Sequence, residues 1–415
     1  MIDDTYPPLA AWLHDERVAE LAFDGVRGVQ LTYTATAIER FGLNGLALSA
    51  SLPVRREPYG PALTTPYLDR LLPEGAARSL LERRFGVPRG DTFHLLEALG
   101  RDCAGAVVIL DADDDLAIGE ASPQPLSDGQ IAERIAALPT HPLGVDHRVR
   151  LSLAGMQAKL LLTRLPTGDF ALPVGVTPST HIIKPTLERF PGICANEAWC
   201  LALARRVDLP AAKAEVDAFG DHEALVVERY DRTRGDAGAV RRVHQEDACQ
   251  ALGIPVPAKY EYDPSGPTLR RIATLLRRIA ADPAADLERL AAMVVFAIAI
   301  GNADLHGRNV SLLYGDEGPM LAPVYDAIAT VAYEDITTDL GMSVGQARSV
   351  GSVTATDLVA EISSWGITRT RAVRLLEEDV ERLDVAVDHA TDMVPQAHAV
   401  ADIVRRRLAQ LRRTI

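Results

Sequence analysis

Cysteine and lysine are both scarce in this chain, and positive charge is outweighed. The four cysteines, Cys103, Cys194, Cys200 and Cys249, are spread over 415 residues. None stands in C-x-x-C spacing, and no Cys/His cluster has the spacing of zinc ligands. A disulfide framework and a structural zinc site are therefore excluded by pattern, and reduced core thiols of a cytosolic protein are expected. The 43 basic residues face 57 acidic ones, a formal charge of −14. A surface that acidic does not by itself attract nucleic acid or anionic membrane, so any DNA association requires a separate DNA-binding partner or a local basic patch. The most apolar helical run, near residues 290–300, is too short to span a bilayer. The acidic start, Met1-Ile2-Asp3-Asp4, lacks the basic region of a signal peptide, and a cytoplasmic location is expected. Lysine occurs only at 159, 184, 213 and 259. A chain that otherwise uses arginine keeps an ammonium where a compact point charge serves better than a planar fork.

What is present is ordinary in bulk. An apolar share of 47% and a charged share of 24% describe a globular protein, and the length allows two or three domains. Residues 1–110 read as a mixed α/β module. Strands are expected at 18–23 and 29–33 around an Asp24-Gly25 turn, at 46–52, and at 103–110, with helices after Thr65-Pro66 and over 76–85. Residues 111–147 read as an acidic, proline-bearing linker with one short helix at 128–138. From 148 to 244 the pattern is a small sheet plus one helix, with strands at 149–153, 159–163, 181–184 and 224–228 and the helix at 196–207. From 245 to 415 helices dominate, at 269–279, 287–300, 357–364, 370–387 and 397–412.

The chemistry concentrates in Ile300–Asn309, I-G-N-A-D-L-H-G-R-N. Asp304 and Asn309 stand five positions apart, the spacing of a protein-kinase catalytic loop, in which the Asp takes the hydroxyl proton and the Asn holds magnesium. Asp326 follows 17 residues later, in Pro323-Val324-Tyr325-Asp326, and is the candidate anionic ligand of Mg²⁺ beside the neutral oxygen of Asn309. His306 is a candidate to orient Asp304 or contact phosphate, and Arg308 is a candidate phosphate contact. Lys184 ends an apolar strand, the place of a phosphate-binding lysine, and Glu197, thirteen residues on, is its candidate ion-pair partner. Glu197 reads equally as a first-turn acid favoured by the helix dipole. Ser152, Leu153, Ala154, Gly155, Met156, Gln157, Ala158 and Lys159 lie between two expected strands. With one glycine the segment reads as a hairpin turn, although turn N–H groups can cradle phosphates. The strand end at Glu228, Arg229, Tyr230 and Asp231 is placed where a hinge would bind adenine.

The order of these motifs resembles the HipA family of serine/threonine kinases, the toxins of bacterial type II toxin–antitoxin pairs. The matching pieces are Leu71-Leu-Pro-Glu-Gly75, Gly100-Arg-Asp-Cys-Ala-Gly-Ala106, Ser152-Leu-Ala-Gly-Met-Gln-Ala-Lys159, His181-Ile-Ile-Lys-Pro185, Asn196-Glu197, Val227-Glu-Arg-Tyr-Asp231, Gln245-Glu-Asp247, Gly301–Asn309, Tyr325-Asp326 and Met342-Ser-Val-Gly345. The resemblance runs over nearly the whole chain. It implies an α+β, protein-kinase-like two-lobed fold, with an α/β N-terminal part and an all-α C-terminal lobe that bind ATP–Mg²⁺ between them. It implies that Asp304 is catalytic, that Asn309 and Asp326 hold metal, that Lys184 and the 152–159 loop bind phosphate, and that Ser152 is an inhibitory autophosphorylation site. A phosphate there would place about −2 charge inside a loop built to hold phosphates. The implied partner is a HipB-like helix-turn-helix antitoxin, dimeric in a 2:2 complex, through which operator DNA is reached. The implied substrate is a translation protein such as an aminoacyl-tRNA synthetase.

Departures touch substrate identity: Leu305 stands where a glycine is expected, and Met156 and Ala158 are larger or less polar than expected. A lipid kinase would want a basic membrane-facing patch that the charge does not supply. An aminoglycoside-type kinase carries its His before the Asp, whereas Asn302-Ala303 precede Asp304. A catalytically silent scaffold that binds an antitoxin is the non-enzymatic alternative. The first module holds no catalytic cluster and is expected to dock a partner.

Overall fold

The computed structural model describes residues 6–25, 28–114, 116, 122–144, 152–153, 158–235, 239–256 and 258–414. They fold into two compact units, residues 1–185 with 218–246, and residues 186–217 with 247–415.

The first unit holds two sheets. Strands β1 (Leu9–Leu13), β2 (Glu16–Phe23), β3 (Val29–Tyr33) and β4 (Val107–Asp111) form a sheet in the order β3-β2-β1-β4, with β1 antiparallel to both neighbours. β3 alternates buried and half-buried residues, the period-two signature of a one-sided strand. The Asp24 turn closes through a bond from the Gly28 N–H to Asp24 Oδ1 at 2.7 Å. β1 was not anticipated, because L-A-A-W-L is buried at four of its five positions and so shows no alternation. The strand expected at 46–52 is instead a buried loop. Its polar groups are met from elsewhere: Ala50 N–H and the Ser49 hydroxyl donate to Glu246, and Tyr33 donates to the Leu52 carbonyl.

Strands β5 (Gln124–Pro125), β6 (Leu160–Arg164), β7 (Phe170–Leu172), β8 (His181–Pro185), β9 (Ala214–Phe219) and β10 (His222–Glu228) form the second sheet, in the order β5-β7-β6-β8-β10-β9. The expected strands at 159–163, 181–184 and 224–228 are β6, β8 and β10. The strand expected at 149–153 lies mostly outside the described residues. Leu160, Leu161, Leu162 and Val226 join Leu21, Leu31 and Phe93 in one hydrophobic cluster. The expected N-terminal module is thus packed into one core with the second sheet.

An ionic knot sits inside this unit. Asp102, with no exposed surface, receives Arg232 at 2.9 Å, Arg242 at 3.2 Å, Arg229 at 3.4 Å and the Ser179 hydroxyl at 2.6 Å. Asp231 takes Arg229 at 2.8 Å and the Gly105 N–H at 2.7 Å. Burial alone would raise the Asp102 carboxyl, but Arg232, Arg229 and Arg242 outweigh it and hold the carboxyl below its usual range. Burial likewise brings the Arg232 guanidinium down to about 10, with Arg229 repelling it.

The second unit is mainly helical. Its longest helix, Arg369–Met393, packs on Ile193–Arg206, Pro283–Ile300, Ala355–Ser364 and His398–Arg412. The helix expected at 196–207 therefore belongs here by contact, not with the sheet that precedes it in sequence. Trp199 and Trp365 are fully buried, and the Trp199 indole donates to Thr391 Oγ1 at 3.2 Å. Two hairpins, Ser311–Gly315 with Gly318–Leu321 and Asp339–Val344 with Ala347–Ser349, interrupt the expected all-helical lobe. Their strands are short, and glycine and charge hide their alternation. Among the described residues no helix is long and apolar enough to cross a membrane.

Candidate active site

Helix Pro283–Ile300 delivers the loop that carries Asp304. It starts on an Asp282 cap with Pro283 at its first position, and from Leu290 to Ile300 it is almost wholly buried. Gly301 ends it at φ 74°, in the left-handed region. Arg407 Nε meets the Ile298 carbonyl at 2.7 Å, satisfying one of the helix's open acceptors.

The loop is then held at nearly every residue. Asn302 Oδ1 accepts the Asp304 N–H at 2.8 Å. Asn309 Nδ2 donates to the Asp304 carbonyl at 2.9 Å. Thr330 Oγ1 accepts the Ala303 N–H at 2.8 Å and donates to the Gly301 carbonyl at 3.0 Å. The Gly341 N–H reaches the Ala303 carbonyl at 2.7 Å. At Gly307 a Cβ would lie 2.6 Å from Pro267 and 2.7 Å from Cys249 Sγ, so this glycine is required by close approach.

Within this frame the Asp304 side chain remains 48% exposed. The Tyr260 hydroxyl donates to its Oδ1 at 3.2 Å. His306 Nε2 is 4.0 Å from the same oxygen, too far for a hydrogen bond. His306 Nδ1 accepts the Arg308 N–H at 3.3 Å, which leaves the ring proton on Nε2. Burial, then the charge of Lys259, push the imidazole down to about 3, so it is neutral at physiological pH. His306 is therefore no cationic phosphate contact, and the hydroxyl of Tyr260 orients the acid instead. Arg308 also differs from expectation: its Nε lies 3.4 Å from Asp247 Oδ2, with both side chains largely buried. That ion pair employs the guanidinium inside the unit.

Asp326 has φ 52°, a left-handed conformation that costs a non-glycine residue of order 1 kcal/mol. Its neighbour is clamped, since the Tyr325 hydroxyl donates to the Arg308 carbonyl at 2.6 Å and sits 2.6 Å from Ser311 Oγ. Asn196 pairs both ways with the backbone of Ala329, at 2.9 and 3.2 Å. Asp326 is close enough for its charge to act on His306. Asn309 spends its amide N–H on the loop and keeps its oxygen as a donor to metal. One carboxylate and one amide oxygen are few ligands for Mg²⁺, which suits an ion that also takes phosphate oxygens.

The remaining expected site residues lie in the first unit, apart from Glu197. Lys184 sits on β8 opposite Leu225, and Lys159 just precedes β6; they are 8% and 7% exposed. Ser152 is fully buried, its hydroxyl donating to the Leu71 carbonyl at 2.5 Å and its N–H to the Asp102 carbonyl at 3.0 Å. Ala154, Gly155, Met156 and Gln157 lie outside the described residues. Glu228 is the exposed end of β10, paired with His181, and the Tyr230 hydroxyl donates to Gln245. Asp231 is corrected from an adenine contact to a structural anion, since its carboxylate is occupied by arginines and the Gly105 N–H. Glu197 is buried in the second unit on the helix Ile193–Arg206.

Sequence reasoning missed Tyr260, Lys259, Asn302, Thr330 and Asn196. The scarcity of lysine was a usable signal for Lys259. The others had none, because their partners are 27 to 133 residues away in sequence.

Residues 9–110 match the model of the HipA N-terminal domain, and residues 151–388 that of the HipA-like C-terminal domain. The chain is 39% identical to the putative kinase Y4mE of Sinorhizobium fredii, covering 84% of this chain and 85% of that one. It is 29% identical to the serine/threonine-protein kinase toxin HipA of Shewanella oneidensis, over 92% and 89% of the two chains. The solved complex of Shewanella oneidensis HipA with HipB and its operator DNA superposes with a TM-score of 0.85 at 29% identity, covering 98% and 97%.

Proposed function

Because the chain belongs to the HipA family of serine/threonine-protein kinases, we propose that Asp304 takes the proton of a protein serine or threonine hydroxyl as phosphate passes to it from ATP. The observation that carries this reading is the braced loop. Asp304 alone keeps an exposed carboxylate, while Asn302, Asn309 and Thr330 fix the backbone on either side of it. Phosphoryl transfer asks chiefly for positioning and charge neutralisation, and a carboxylate held beside the attacking hydroxyl supplies both. Tyr260 fixes the rotamer of that carboxylate. Asn309 and Asp326 would hold Mg²⁺, which when bound neutralises charge on the nucleotide phosphates. Lys184, Lys159 and the 152–159 loop are offered to the phosphates, and the backbone near Glu228 and Tyr230 to the base.

The regulatory reading follows the family. The partner is a HipB-like helix-turn-helix antitoxin, in a 2:2 complex that meets operator DNA through the antitoxin. The closely similar Shewanella oneidensis protein is solved with HipB and operator DNA, which supports this. The substrate is a translation protein, with an aminoacyl-tRNA synthetase foremost. The chain acts in the cytoplasm and silences itself by autophosphorylation at Ser152. That step requires the bonds from Ser152 to Leu71 and Asp102 to break first, since the side chain has no exposed surface.

Intact mass and phosphopeptide mapping after incubation with Mg-ATP test the reading, beside Asp304→Gln and Asp326→Gln. One phosphate on Ser152, absent in both variants, supports it. No incorporation into the chain or into a panel of aminoacyl-tRNA synthetases, starting from unphosphorylated protein, refutes it in favour of a silent scaffold.

A further inference from the structure

We propose that the outer face of Tyr262 receives a lysine or arginine side chain from the substrate segment flanking the acceptor hydroxyl. This inference rests on the kinase reading of Asp304.

Tyr262 is 71% exposed, yet its ring is not loose. It stacks on Tyr260 with centroids 5.0 Å apart and planes within 9°. Tyr260 in turn donates its hydroxyl to Asp304 Oδ1 at 3.2 Å and lies edge-on to His306 at 5.2 Å. The stack is thereby indexed to the reacting carboxylate through one hydrogen bond. The backbone beneath is equally fixed. Asp263 Oδ2 accepts the N–H groups of Lys259 and Tyr260 at 2.8 and 2.9 Å, and the Glu261 N–H donates to the Gly341 carbonyl at 2.9 Å. A rigid aromatic plane beside the acceptor site costs the protein little entropy when a ligand settles on it.

The surroundings select the sign of that ligand. Burial and then the carboxylates of Asp263, Asp304 and Asp339 raise the Tyr262 hydroxyl, so three negative groups act on this ring. Two basic groups of the same region are engaged, Lys259 with Nζ 5.2 Å from the centroid of Tyr260 and Arg348 3.0 Å from Glu261 Oε1. An aromatic face amid carboxylates attracts an ammonium or guanidinium by its quadrupole and by plain charge. No other feature of the second unit offers an exposed aromatic plane tied to Asp304 among the described residues.

The test uses the full-length chain, Mg-ATP and a serine-acceptor peptide array in which each flanking position is set in turn to Arg, Glu or Ala. Tyr262→Ala and Tyr262→Phe run beside the wild type. Wild type is expected to favour Arg over Ala at one flanking position by about fivefold in kcat/KM, carried by KM, as a cation–π contact would give. Tyr262→Ala should bring that ratio close to one, and Tyr262→Phe should keep most of it, since the plane survives. An undiminished Arg preference in Tyr262→Ala, or no Arg preference in a wild type that phosphorylates the array, overturns the proposal and leaves the kinase reading standing. A wild type that transfers phosphate to no peptide and to no residue of its own overturns both.

Discussion

Asp102→Ala removes the centre of the ionic knot in the first unit, and the cost can be worked from the contacts. The wild-type knot sets two carboxylates, Asp102 and Asp231, against Arg229, Arg232 and Arg242. Arg229 and Arg232 are only 2% exposed at the side chain, and Asp102 is not exposed at all. Without Asp102, three guanidinium groups share one anion, and the Ser179 N–H and hydroxyl lose their acceptor. Breaking a buried pair by deleting one partner typically costs about 3–5 kcal/mol, because the surviving charge stays desolvated. In a body of this size that lowers Tm by roughly 10 °C. Amide hydrogen exchange of β4 and β10, read by mass spectrometry, should lose roughly 10²- to 10³-fold protection at 1.4 kcal/mol per decade. Asp102→Asn should cost less, since its amide oxygen still accepts from Ser179. Adding Arg232→Met to Asp102→Ala should recover part of the loss, because it removes the cation that was orphaned. A loss under about 1 kcal/mol for Asp102→Ala would refute the reasoning that this charge is buried and singly indispensable.

Asp304→Asn should lower kcat by about 10²- to 10⁴-fold without moving Tm, the range for loss of a general base; a fall in Tm alongside would point to a structural role. Asn196→Ala frees the Ala329 backbone, so the stretch that follows Asp326 should loosen; the expected result is a raised Mg²⁺ requirement in a titration at saturating ATP, and an unchanged one refutes the link. Acidification should destabilise the fold. His181 and His244 are pushed down to about 4 and His306 to about 3, chiefly by burial, whereas the unfolded imidazole titrates near 6.5. Their stabilisation is full above the unfolded value and falls as pH drops from about 6.5 toward 4, by roughly 1.4 kcal/mol per pH unit for each. Asp379, raised by burial to about 6, acts oppositely and returns stability as pH falls through 6. Three groups against one give a net loss, so Tm should drop between pH 7 and pH 5, and a flat profile contradicts the buried neutral histidines.

Deleting residues 1–105 was the natural way to test the first module as a separate docking domain. The structure makes it a poor experiment, since the cut removes Asp102 and half of a shared core. Helices over 269–279 and near 290–300 were legible because period 3.6, Asp and Thr caps and a terminal glycine agreed there. The hairpins after Asn309 and Asp339 were not, because their strands are three to six residues long and paired within a helical body.

The sequence alone determined the chemistry on offer: D-x-H-x-x-N after a buried helix, a following Tyr-Asp, and lysine held back to four places. Such spacing survives in one dimension because a loop's function lies in consecutive residues. Only tertiary structure decided how each group is used. Tyr260, 44 residues before Asp304, holds the acid while its near neighbour His306 is buried and neutral. Arg308 and Asp231 are consumed by ion pairs that no local pattern announces. Burial and long-range partners set the charge state and free valence of a side chain, and both belong to the folded chain.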